Sequence, residues 1–290
     1  MFVVGGTASK TVAEDLSKRL HCPLISTAVK RFPDKELYVR ILDDIKGEDV
    51  IIVQTTYPDS NIIELLLLQD AACEAGAETI TVVIPYFGYG RQDKKFEEGE
   101  PISARVIAEH IGIHAHKIVT VDPHKEHVLT FFKIPAVSCS AISELAKYLK
   151  KKETIDLVLA PDAGALDRTK RIAKRLGCDY DYMEKKRIDG TTVEIKPKTL
   201  DVQNKKAVIV DDIISTGGTM AKSIKELKKQ GAKEIAVACT HGLFVGNAKE
   251  LLVTAGCDEI ISTDTVRSEF SKVKVTPAIV RTLGVDYPKK

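Results

Sequence analysis

The segment 208–220 brings together residue types that suit the binding of an anion. An apolar run at 208–210 is followed by two acids, then by a Ser/Thr/Gly stretch, and then by a helix-like sequence. Glycines allow the backbone to curl so that successive N–H groups face one point, and the following helix adds its positive N-terminal end. A phosphate dianion would fit this loop, and the hydroxyls of Ser215, Thr216 and Thr219 would add donors.

The two acids of this segment, Asp211 and Asp212, would repel a phosphate, so their expected partners are sugar hydroxyls or a magnesium ion. A sugar phosphate satisfies both halves of the segment. The sequence contains neither a P-loop of the form G-x-x-x-x-G-K-[ST] nor a dinucleotide fingerprint of the form G-x-G-x-x-G. The alternative is a loop that only caps a helix, although capping explains two adjacent acids at a strand end poorly.

Three other β-branched runs are also followed by charged side chains. Arg91 follows the run at 79–84, Asp122 and His124 follow the run at 117–121, and Asp162 follows the run at 156–160. Open parallel sheets bind ligands at the carboxyl ends of their strands, so Arg91 could clamp phosphates, and Asp122 and His124 could face one magnesium ion. The alternatives are a solvated charged face, a structural histidine and a helix N-cap at Asp162. A zinc site with His127 lacks a third and fourth ligand at suitable spacing.

Two polar segments have simpler interpretations when their residues are considered alone. The sequence Phe32-Pro33-Asp34-Lys35-Glu36 predicts a turn, and the alternating apolar residues from Leu37 onwards predict a returning strand. The basic tripeptide 185–187 precedes a polar stretch at 188–192 that predicts a hairpin loop. A plain hairpin and a solvated basic face remain open for these two segments.

Together these motifs resemble those of the ribose-phosphate diphosphokinases, also called PRPP synthetases, in their archaeal-like short form. The strand-DD-x-x-S-T-G-G-T segment alone is shared with type I phosphoribosyltransferases. The resemblance covers essentially the whole chain, and its motifs stand in the order of the family. They are Arg31–Glu36, Pro85–Asp93, Asp122–His124, Pro161–Gly164, Lys185–Arg187 and Asp211–Thr219.

The resemblance implies the roles of the site residues. Those that it assigns to ATP are Phe32, Asp34, Lys35, Glu36, Arg91, Gln92 and Asp93. Those that it assigns to ribose 5-phosphate are Arg187, Asp211, Asp212, Ser215, Thr216, Gly217, Gly218 and Thr219. It makes Lys185 and Arg187 catalytic, on a loop that closes over the reaction, and it makes His124 and Asp162 ligands of the cofactor Mg²⁺. It also implies a homo-oligomer in which the Phe32 loop reaches into the active site of a neighbouring subunit.

The implied reaction is the transfer of the β,γ-diphosphoryl group of ATP to the 1-hydroxyl of ribose 5-phosphate, which gives PRPP and AMP. A phosphoribosyltransferase that consumes PRPP is the alternative enzyme, but it would leave the first half of the chain unexplained. A non-catalytic, nucleotide-binding regulatory relative is the second alternative. Damage to Lys185, Arg187, Arg91 or Asp211 would favour that relative, and all four residues are intact.

The elements that must position these residues can also be predicted. Short β-branched runs alternate with longer helix-like stretches, which indicates βαβ units and a mostly parallel sheet. The predicted strands are 50–53, 79–84, 118–121, 157–159, 207–210 and 235–238, and the predicted helices are 62–75, 166–176 and 220–229.

The sequence also contains an internal echo. The passage 75–82 resembles 230–237, and Lys117 and Asp122 have counterparts in Glu259 and Asp264. The shared order predicts two copies of one α/β unit, with chance likeness of βαβ sequence as the alternative. With the resemblance, we expect an α/β fold of two tandem type I phosphoribosyltransferase-like domains at 1–146 and 147–290. The first would be the ATP side and the second the ribose 5-phosphate side, with the last helix able to pack back on the first.

Composition excludes several other classes of protein. The 290 residues carry 43 Lys and Arg against 41 Asp and Glu, so the net charge gives no reason to expect nucleic acid or an anionic membrane as a partner. The longest run without these charged residues, 235–248, is shorter than the roughly 18 residues that a spanning helix needs. Six dispersed cysteines, with no C-x-x-C pair and no secretory signal, predict a cytoplasmic protein with reduced thiols.

Overall fold

The computed structural model describes residues 1–152, 154–183, 185–187, 193–195 and 200–284. These residues form two compact units. The first unit consists of Met1–Ser140 and the C-terminal segment that begins at Lys274, and the second consists of Ala141–Val273. No helix in the described ranges has the length and apolar character needed to cross a membrane.

The first unit contains eight strands and four helices within the described residues. Its strands are β1 (Phe2–Gly5), β2 (Leu24–Ile25), β3 (Thr27–Arg31), β4 (Leu37–Ile41), β5 (Asp49–Val53), β6 (Thr79–Ile84), β7 (Lys117–Val121) and β8 (Ala136–Cys139). Its helices are α1 (Lys10–Leu20), α2 (Ser60–Glu74), α3 (Ser103–Ile111) and α8 (Thr276–Leu283). Six strands form a parallel sheet in the order β2-β1-β5-β6-β7-β8, and β3 pairs antiparallel with β4 as a separate hairpin.

The second unit repeats this plan. Its strands are β9 (Leu157–Ala160), β10 (Asp179–Tyr182), β11 (Lys185–Arg187), β12 (Val193–Ile195), β13 (Lys206–Ile214), β14 (Glu234–Gly242), β15 (Glu259–Thr263) and β16 (Ser271–Val273). Its helices are α4 (Ile142–Lys152), α5 (Leu166–Leu176), α6 (Gly218–Lys229) and α7 (Ala248–Thr254). The parallel sheet has the order β10-β9-β13-β14-β15-β16, and β11 pairs antiparallel with β12.

Each sheet is buried on both faces by helices. In the second unit, Leu157 and Leu159 of β9 face the cluster that includes α6 and α7, whereas Val158 faces the cluster that includes α4 and α5. Successive strand residues point to opposite faces, so a strand covered on both sides is apolar throughout. The prediction of an α/β fold with two tandem, mostly parallel sheets flanked by helices is confirmed.

One strand is longer than predicted. The sequence predicts that the strand before the predicted anion-binding loop Ser215–Thr219, called the anion loop below, ends at Val210, but β13 continues through both acids to Ile214. The extension exists because Asp211, Ile213 and Ile214 continue the parallel ladder with β14. Asp211 and Asp212 are therefore held on a strand, where their backbone positions are fixed by the sheet.

The chain passes from the first unit to the second just before α4 and returns to the first unit just before α8. Helix α4 follows β8 in sequence but packs on α5 in the second unit, and α8 follows β16 but packs on α1 in the first. The charged segment at 147–154 includes the last turns of α4, so the compact units change at Ser140 and not within that segment. The domain limits of 1–146 and 147–290 stay a prediction.

Candidate active site

The anion loop follows β13 and leads into α6, as its sequence predicts. Gly217 caps α6 with a φ of +75°, a left-handed conformation that side chains other than hydrogen rarely adopt. A Cβ at this position would also lie 3.3 Å from the carbonyl oxygen of Ala248. The N–H of Val245 donates to the carbonyl of Ser215 at 3.0 Å, which ties the loop to the segment after β14. Thr216 and Thr219 are exposed.

Carboxylates gather beside this loop. Burial of Asp211, followed by the negative charge of Asp212, raises the pKa of the Asp211 carboxyl well above its usual range, and the charge of Asp162 adds to this effect. Each of the adjacent acids accepts a hydrogen bond from the next backbone N–H, at 2.9 Å in both cases. The edge of the second sheet is therefore a place where a cation or a set of sugar hydroxyls would relieve charge repulsion.

Asp162 lies in the loop between β9 and α5. Its side chain accepts a hydrogen bond at 2.8 Å from the N–H of Gly164 and so caps the short 3-10 turn Ala163–Ala165. The N-cap alternative for Asp162 is therefore present in the structure. This contact uses Oδ1, and the proximity of Asp162 to Asp211 is evident from its influence on the pKa of that group. The role of Asp162 as a metal ligand stays a prediction.

The predicted catalytic residues, Lys185 and Arg187, lie on β11, and the side chains of this strand are outside the described part of the structure. Lys185 pairs with Ile195 and Arg187 with Val193, so the two strands form the antiparallel hairpin that the sequence predicts. The connecting segment 188–192 also lies outside the described residues.

In the first unit, the loop after β6 is held against the loop after β5. The N–H of Gly88 donates to Oγ1 of Thr56 at 2.7 Å, and a Cβ at Gly88 would lie only 2.6 Å from the Thr56 carbonyl oxygen. Tyr89 has a φ of +64°, and its hydroxyl donates to Asp59 at 2.9 Å, which raises the pKa of the tyrosine. These contacts fix the backbone immediately before Arg91.

The three predicted ATP-binding residues of this loop have different surroundings. Arg91 is exposed. Gln92 accepts a hydrogen bond from the hydroxyl of Ser103, the first residue of α3. Asp93 has a side chain only 9% exposed, and its carboxylate lies 3.2 Å from Nε2 of His127. The loop is thus anchored on both sides of an arginine that is free to meet a ligand from solvent.

Asp122 and His124 follow β7, the next strand in the first sheet. The backbone N–H of Asp122 donates to the carbonyl of Cys139 at 2.9 Å, and its φ of +36° marks a sharp change in direction. Asp122 is buried, whereas His124 is exposed. Asp93 and His124 thus lie at the same edge of the first sheet, at the carboxyl ends of β6 and β7. His127, which contacts Asp93, also follows β7.

The tip of the β3–β4 hairpin presents the other predicted ATP-binding residues to solvent. Phe32 and Glu36 close the tip through their backbones at 2.9 Å, and the side chain of Asp34 accepts from the N–H of Glu36 at 3.0 Å. Lys35 adopts a φ of +75°. The Phe32 ring is 45% exposed and meets Tyr38 edge-on at 5.8 Å. The predicted turn and returning strand are confirmed.

The residues fit magnesium better than a metal held by protein alone. Among the described residues, no group of three His, Cys, Asp or Glu side chains is arranged to hold a metal ion. Magnesium is usually bound through one or two carboxylates together with substrate phosphates and water, so a dense protein cage is not required. The crowded carboxylates around Asp211 are the donor type that this ion prefers.

Sequence reasoning missed one buried acid that lies beside a loop of the first unit. Glu64 of α2 accepts hydrogen bonds from the backbone N–H of Thr7, at 2.6 Å, and from the hydroxyl of the same residue. The signal was an acid within the apolar run 62–68, because a carboxylate in such a run needs a partner in the interior.

Two family models match the chain. A model described as the N-terminal domain of ribose phosphate pyrophosphokinase matches residues 1–113, and a phosphoribosyl transferase domain model matches residues 130–275. Curated relatives named ribose-phosphate pyrophosphokinase are 44% identical in Pyrococcus abyssi, with 97% of each chain covered, and 44% identical in Methanosarcina acetivorans, with 98% of this chain and 99% of the relative covered.

A solved structure has the same fold over nearly the whole chain. The phosphoribosylpyrophosphate synthetase from Mycobacterium smegmatis aligns with a TM-score of 0.84 at 28% identity, covering 98% of this chain and 97% of that one. The likeness therefore extends across both units and is not confined to one shared domain.

Proposed function

Because this chain belongs to the ribose-phosphate pyrophosphokinase family, we propose that it transfers the β,γ-diphosphoryl group of ATP to the 1-hydroxyl of ribose 5-phosphate, with PRPP and AMP as products. The resemblance inferred from the sequence motifs is confirmed by these relatives, which match over the full chain. The protein is thus a diphosphotransferase of nucleotide biosynthesis. The assignment of individual residues to this reaction is part of the proposal.

The loop from Ser215 to Thr219 is the observation that carries the sugar-phosphate side of the proposal. Its glycine at positive φ opens the N-terminus of α6, where unpaired N–H groups and the helix dipole favour a dianion. The 5-phosphate would bind here, with hydroxyl donors from Ser215, Thr216 and Thr219. Asp211 and Asp212 would then accept hydrogen bonds from ribose hydroxyls.

The carboxyl edge of the first sheet is proposed to bind ATP. The exposed guanidinium of Arg91 would pair with the triphosphate, while Gln92 and Asp93, anchored by Ser103 and His127, would hold the loop in place. The exposed Phe32 ring, with Asp34, Lys35 and Glu36 beside it, would bind the adenine of ATP in a neighbouring copy of the chain. The homo-oligomer with shared sites is supported by the projection of these residues into solvent.

Magnesium, when bound, would neutralise phosphate charge and polarise the transferring group. His124 and Asp162 are the proposed ligands, together with phosphate oxygens. The cytoplasm is the proposed location, because the six cysteines would remain reduced there.

The chemical step needs no side-chain nucleophile. The 1-hydroxyl oxygen attacks the β-phosphorus in line and loses its proton, while the bond from the β-phosphorus to the α,β-bridging oxygen breaks and AMP leaves. Lys185 and Arg187 are proposed to approach the diphosphoryl group as its charge redistributes, when the hairpin of β11 and β12 closes. Positioning and charge stabilisation therefore supply most of the rate.

The test is to incubate the chain with ATP, magnesium and ribose 5-phosphate and to resolve AMP from ADP. We expect AMP to form only when the sugar phosphate is present. Production of ADP would indicate transfer of the γ-phosphoryl group alone and would contradict the proposal. An exchange of PRPP with a nucleobase, without any use of ATP, would indicate the alternative phosphoribosyltransferase.

A further inference from the structure

The repeated topology allows residues of the two units to be matched. In α2 the buried positions Leu65, Leu68, Gln69 and Ala72 have the same spacing as Met220, Ser223, Ile224 and Leu227 in α6. Both helices are followed, at the same distance, by a glycine with positive φ, Gly76 and Gly231. The residue before the first of these four matched positions is Glu64 in α2 and Thr219 in α6. Glu64 thus takes the place of a residue in the proposed sugar-phosphate loop.

Glu64 is bound in the manner of an anion. Its side chain is 3% exposed, and its two carboxylate oxygens receive the N–H and the O–H of Thr7. Thr7 begins the 3-10 turn after β1, as Ala163 begins the 3-10 turn after β9. The carboxylate therefore connects the counterpart of the Asp162 loop with the counterpart of the first turn of α6. In the second unit these are the loop that carries the proposed magnesium ligand Asp162 and the loop proposed to bind the 5-phosphate of the sugar.

The second unit leaves this place open. Thr219 is exposed, and the N–H of Ala163 makes no hydrogen bond within the part of the chain that the structure describes. The N–H of Thr7, its counterpart, is taken by Glu64. The short side chain of Thr219 in α6 therefore leaves the loop of the second unit accessible. The longer, acidic side chain of Glu64 in α2 closes the matching loop of the first unit.

The residues at the carboxyl ends of the matched strands also differ in charge between the two units. In the first sheet Val50 of β5 pairs with Phe2 of β1, and in the second sheet Ala207 of β13 pairs with Leu157 of β9. Four residues further along the chain, this register matches Gln54 with Asp211. Gly6 and Asp162 are matched as the caps of their 3-10 turns, because the connection after β9 is one residue longer than the connection after β1. The amide of Gln54 is buried and accepts from the N–H of Ala8 at 3.1 Å. The second unit thus has acids, Asp211 and Asp162, at these two positions and the neutral Thr219 in α6. The first unit has the neutral Gln54 and Gly6 at the matched positions and the acid Glu64 in α2.

Space for a small anion exists beside the closed loop. A cavity of about 400 Å³ is lined by Gly5, Gly6 and Thr7 together with Lys10 and residues of β2 and β3. Lys10 would offer a positive charge to an anion held by the N–H of Thr7. The obstacle to such an anion is the carboxylate that already occupies the Thr7 donors.

We propose that Glu64 is a resident anion that occupies the first unit's counterpart of the sugar-phosphate site and keeps phosphate-type ligands, including ribose 5-phosphate, out of that unit. The inference rests on the proposed function for the location of the site in the second unit. It explains how a duplicated fold uses one copy for a sugar phosphate and leaves the other copy to the nucleotide.

The experiment is isothermal titration calorimetry of the full chain with inorganic phosphate and, separately, with ribose 5-phosphate. We expect Glu64→Thr, which installs the side chain type of the second unit, to bind one more phosphate or sugar phosphate per chain than the wild type. Glu74→Thr, on an exposed position of the same helix, is the matched control and should leave the number unchanged. A folded Glu64→Thr chain that binds the same number as the wild type would contradict the proposal.

A second measurement applies where Glu64→Thr is unstable. Thermal unfolding is followed in phosphate and in chloride at equal ionic strength, on a Gly217→Val background that disables the proposed site of the second unit. We expect phosphate, but not chloride, to raise the melting temperature of Glu64→Thr by more than that of the background alone. If phosphate did not raise the melting temperature of Glu64→Thr beyond that of the background, Glu64 would only stabilise the fold, and the proposal would be contradicted. Absence of sugar-phosphate binding in the wild type would instead count against the proposed function.

Discussion

At the scale of single residues, Gly217 combines two constraints that a larger side chain cannot meet. Its φ of +75° is one that L side chains rarely adopt, and a Cβ would lie 3.3 Å from the Ala248 carbonyl oxygen, so that this backbone would also have to shift. We expect Gly217→Val to abolish ribose 5-phosphate binding, because the loop could no longer direct its N–H groups at the phosphate, while ATP binding is retained. Calorimetry with each ligand measures both effects.

The matched control for this change is Gly177→Val. Gly177 has a φ of +78° at the opposite end of α5 from Asp162, and nothing lies within 4 Å of a Cβ there. The control carries the same backbone strain at a distance from the proposed site. If both variants lost sugar-phosphate binding equally, or if Gly217→Val kept normal affinity, the sugar would be bound elsewhere.

Lys185 supplies the second prediction at this scale. We expect Lys185→Ala to lower kcat by about 10²- to 10³-fold, because one preorganised charge next to the transferring group is lost. ATP affinity should change much less, since the contact is strongest in the transition state. Steady-state kinetics with parallel ATP titrations separate the two. Lys186→Ala, its neighbour on β11, is the control, and equal losses in both variants would remove Lys185 from the mechanism.

The sequence was informative about site residues where a local pattern carries the chemistry. The Ser/Thr/Gly stretch after β13 could be predicted as an anion loop because its glycine and hydroxyls act within one turn of chain. The roles of Lys185 and Arg187 depended on the family resemblance, since three basic residues in a row are usually a solvated face. Glu64 was not predicted, because an acid in an apolar helix does not reveal which distant loop binds it.

At the scale of elements, the positions of strands and helices were predicted more closely than the residues at which the strands end. The strand at 79–84 and the helix at 166–176 match β6 and α5, whereas β13 and β14 both run past their apolar cores. Polar residues at the carboxyl ends of these strands, such as Asp211 and His241, remain in the ladder because they pair with residues of the neighbouring strand. Apolar periodicity reports burial, so it cannot locate an end that is defined by pairing alone.

The contact between α1 and α8 depends on Asp15. Burial alone would raise the pKa of Asp15, but hydrogen bonds from Arg19, Lys274 and Thr276 lower it to about 2 from the model-compound value of 3.8. A depressed pKa contributes stability that is present above the unfolded pKa and is lost as pH falls through the folded one. We expect this contribution, on the order of 1 kcal/mol after screening, to disappear between about pH 4 and pH 2.

Urea unfolding of the wild type and of Asp15→Asn at a series of pH values measures this contribution. The difference in the free energy of unfolding between them should shrink as pH falls through that window. Asp201→Asn is the control, because the Asp201 side chain is 87% exposed in its ion pair with Lys205. A difference that stays constant with pH would show that Asp15 does not titrate with a lowered pKa in the folded chain.

At the scale of the whole molecule, the duplication and a last helix that can pack back on the first unit follow from the sequence, but the unit to which α4 belongs does not. The echo between 75–82 and 230–237 corresponds to the passages from α2 into β6 and from α6 into β14. Helix α4 lies wholly in the second unit, and α8 packs on α1 in the first. An amphipathic pattern shows that a helix has a face to bury, and it does not say against which sheet.

The proposed sharing of sites between copies predicts complementation. A chain with Phe32→Ala and Glu36→Ala and a chain with Lys185→Ala should each be nearly inactive. Under conditions that allow subunit exchange, we expect a mixture of the two to recover activity, because some sites combine an intact hairpin tip from one copy with an intact Lys185 from another. Assays of AMP formation against mixing ratio provide the measurement.

A mixture of Lys185→Ala with Arg187→Ala is the control for this experiment. Both defects lie on β11 of the same unit, so every site in the mixture keeps one of them and no recovery is expected. Failure of the first mixture to recover, with exchange demonstrated by native mass spectrometry, would show that each site is built within one chain.

The fate of the β-phosphorus tests the central claim most directly. The chain is given ATP labelled at the β-phosphorus, with magnesium and ribose 5-phosphate, and the products are separated. Transfer of the β,γ-diphosphoryl group predicts that the label leaves the nucleotide and appears on the sugar, in an amount equal to the AMP formed. Label that remained in a nucleoside diphosphate, or that appeared as free phosphate without any attachment to the sugar, would contradict the account.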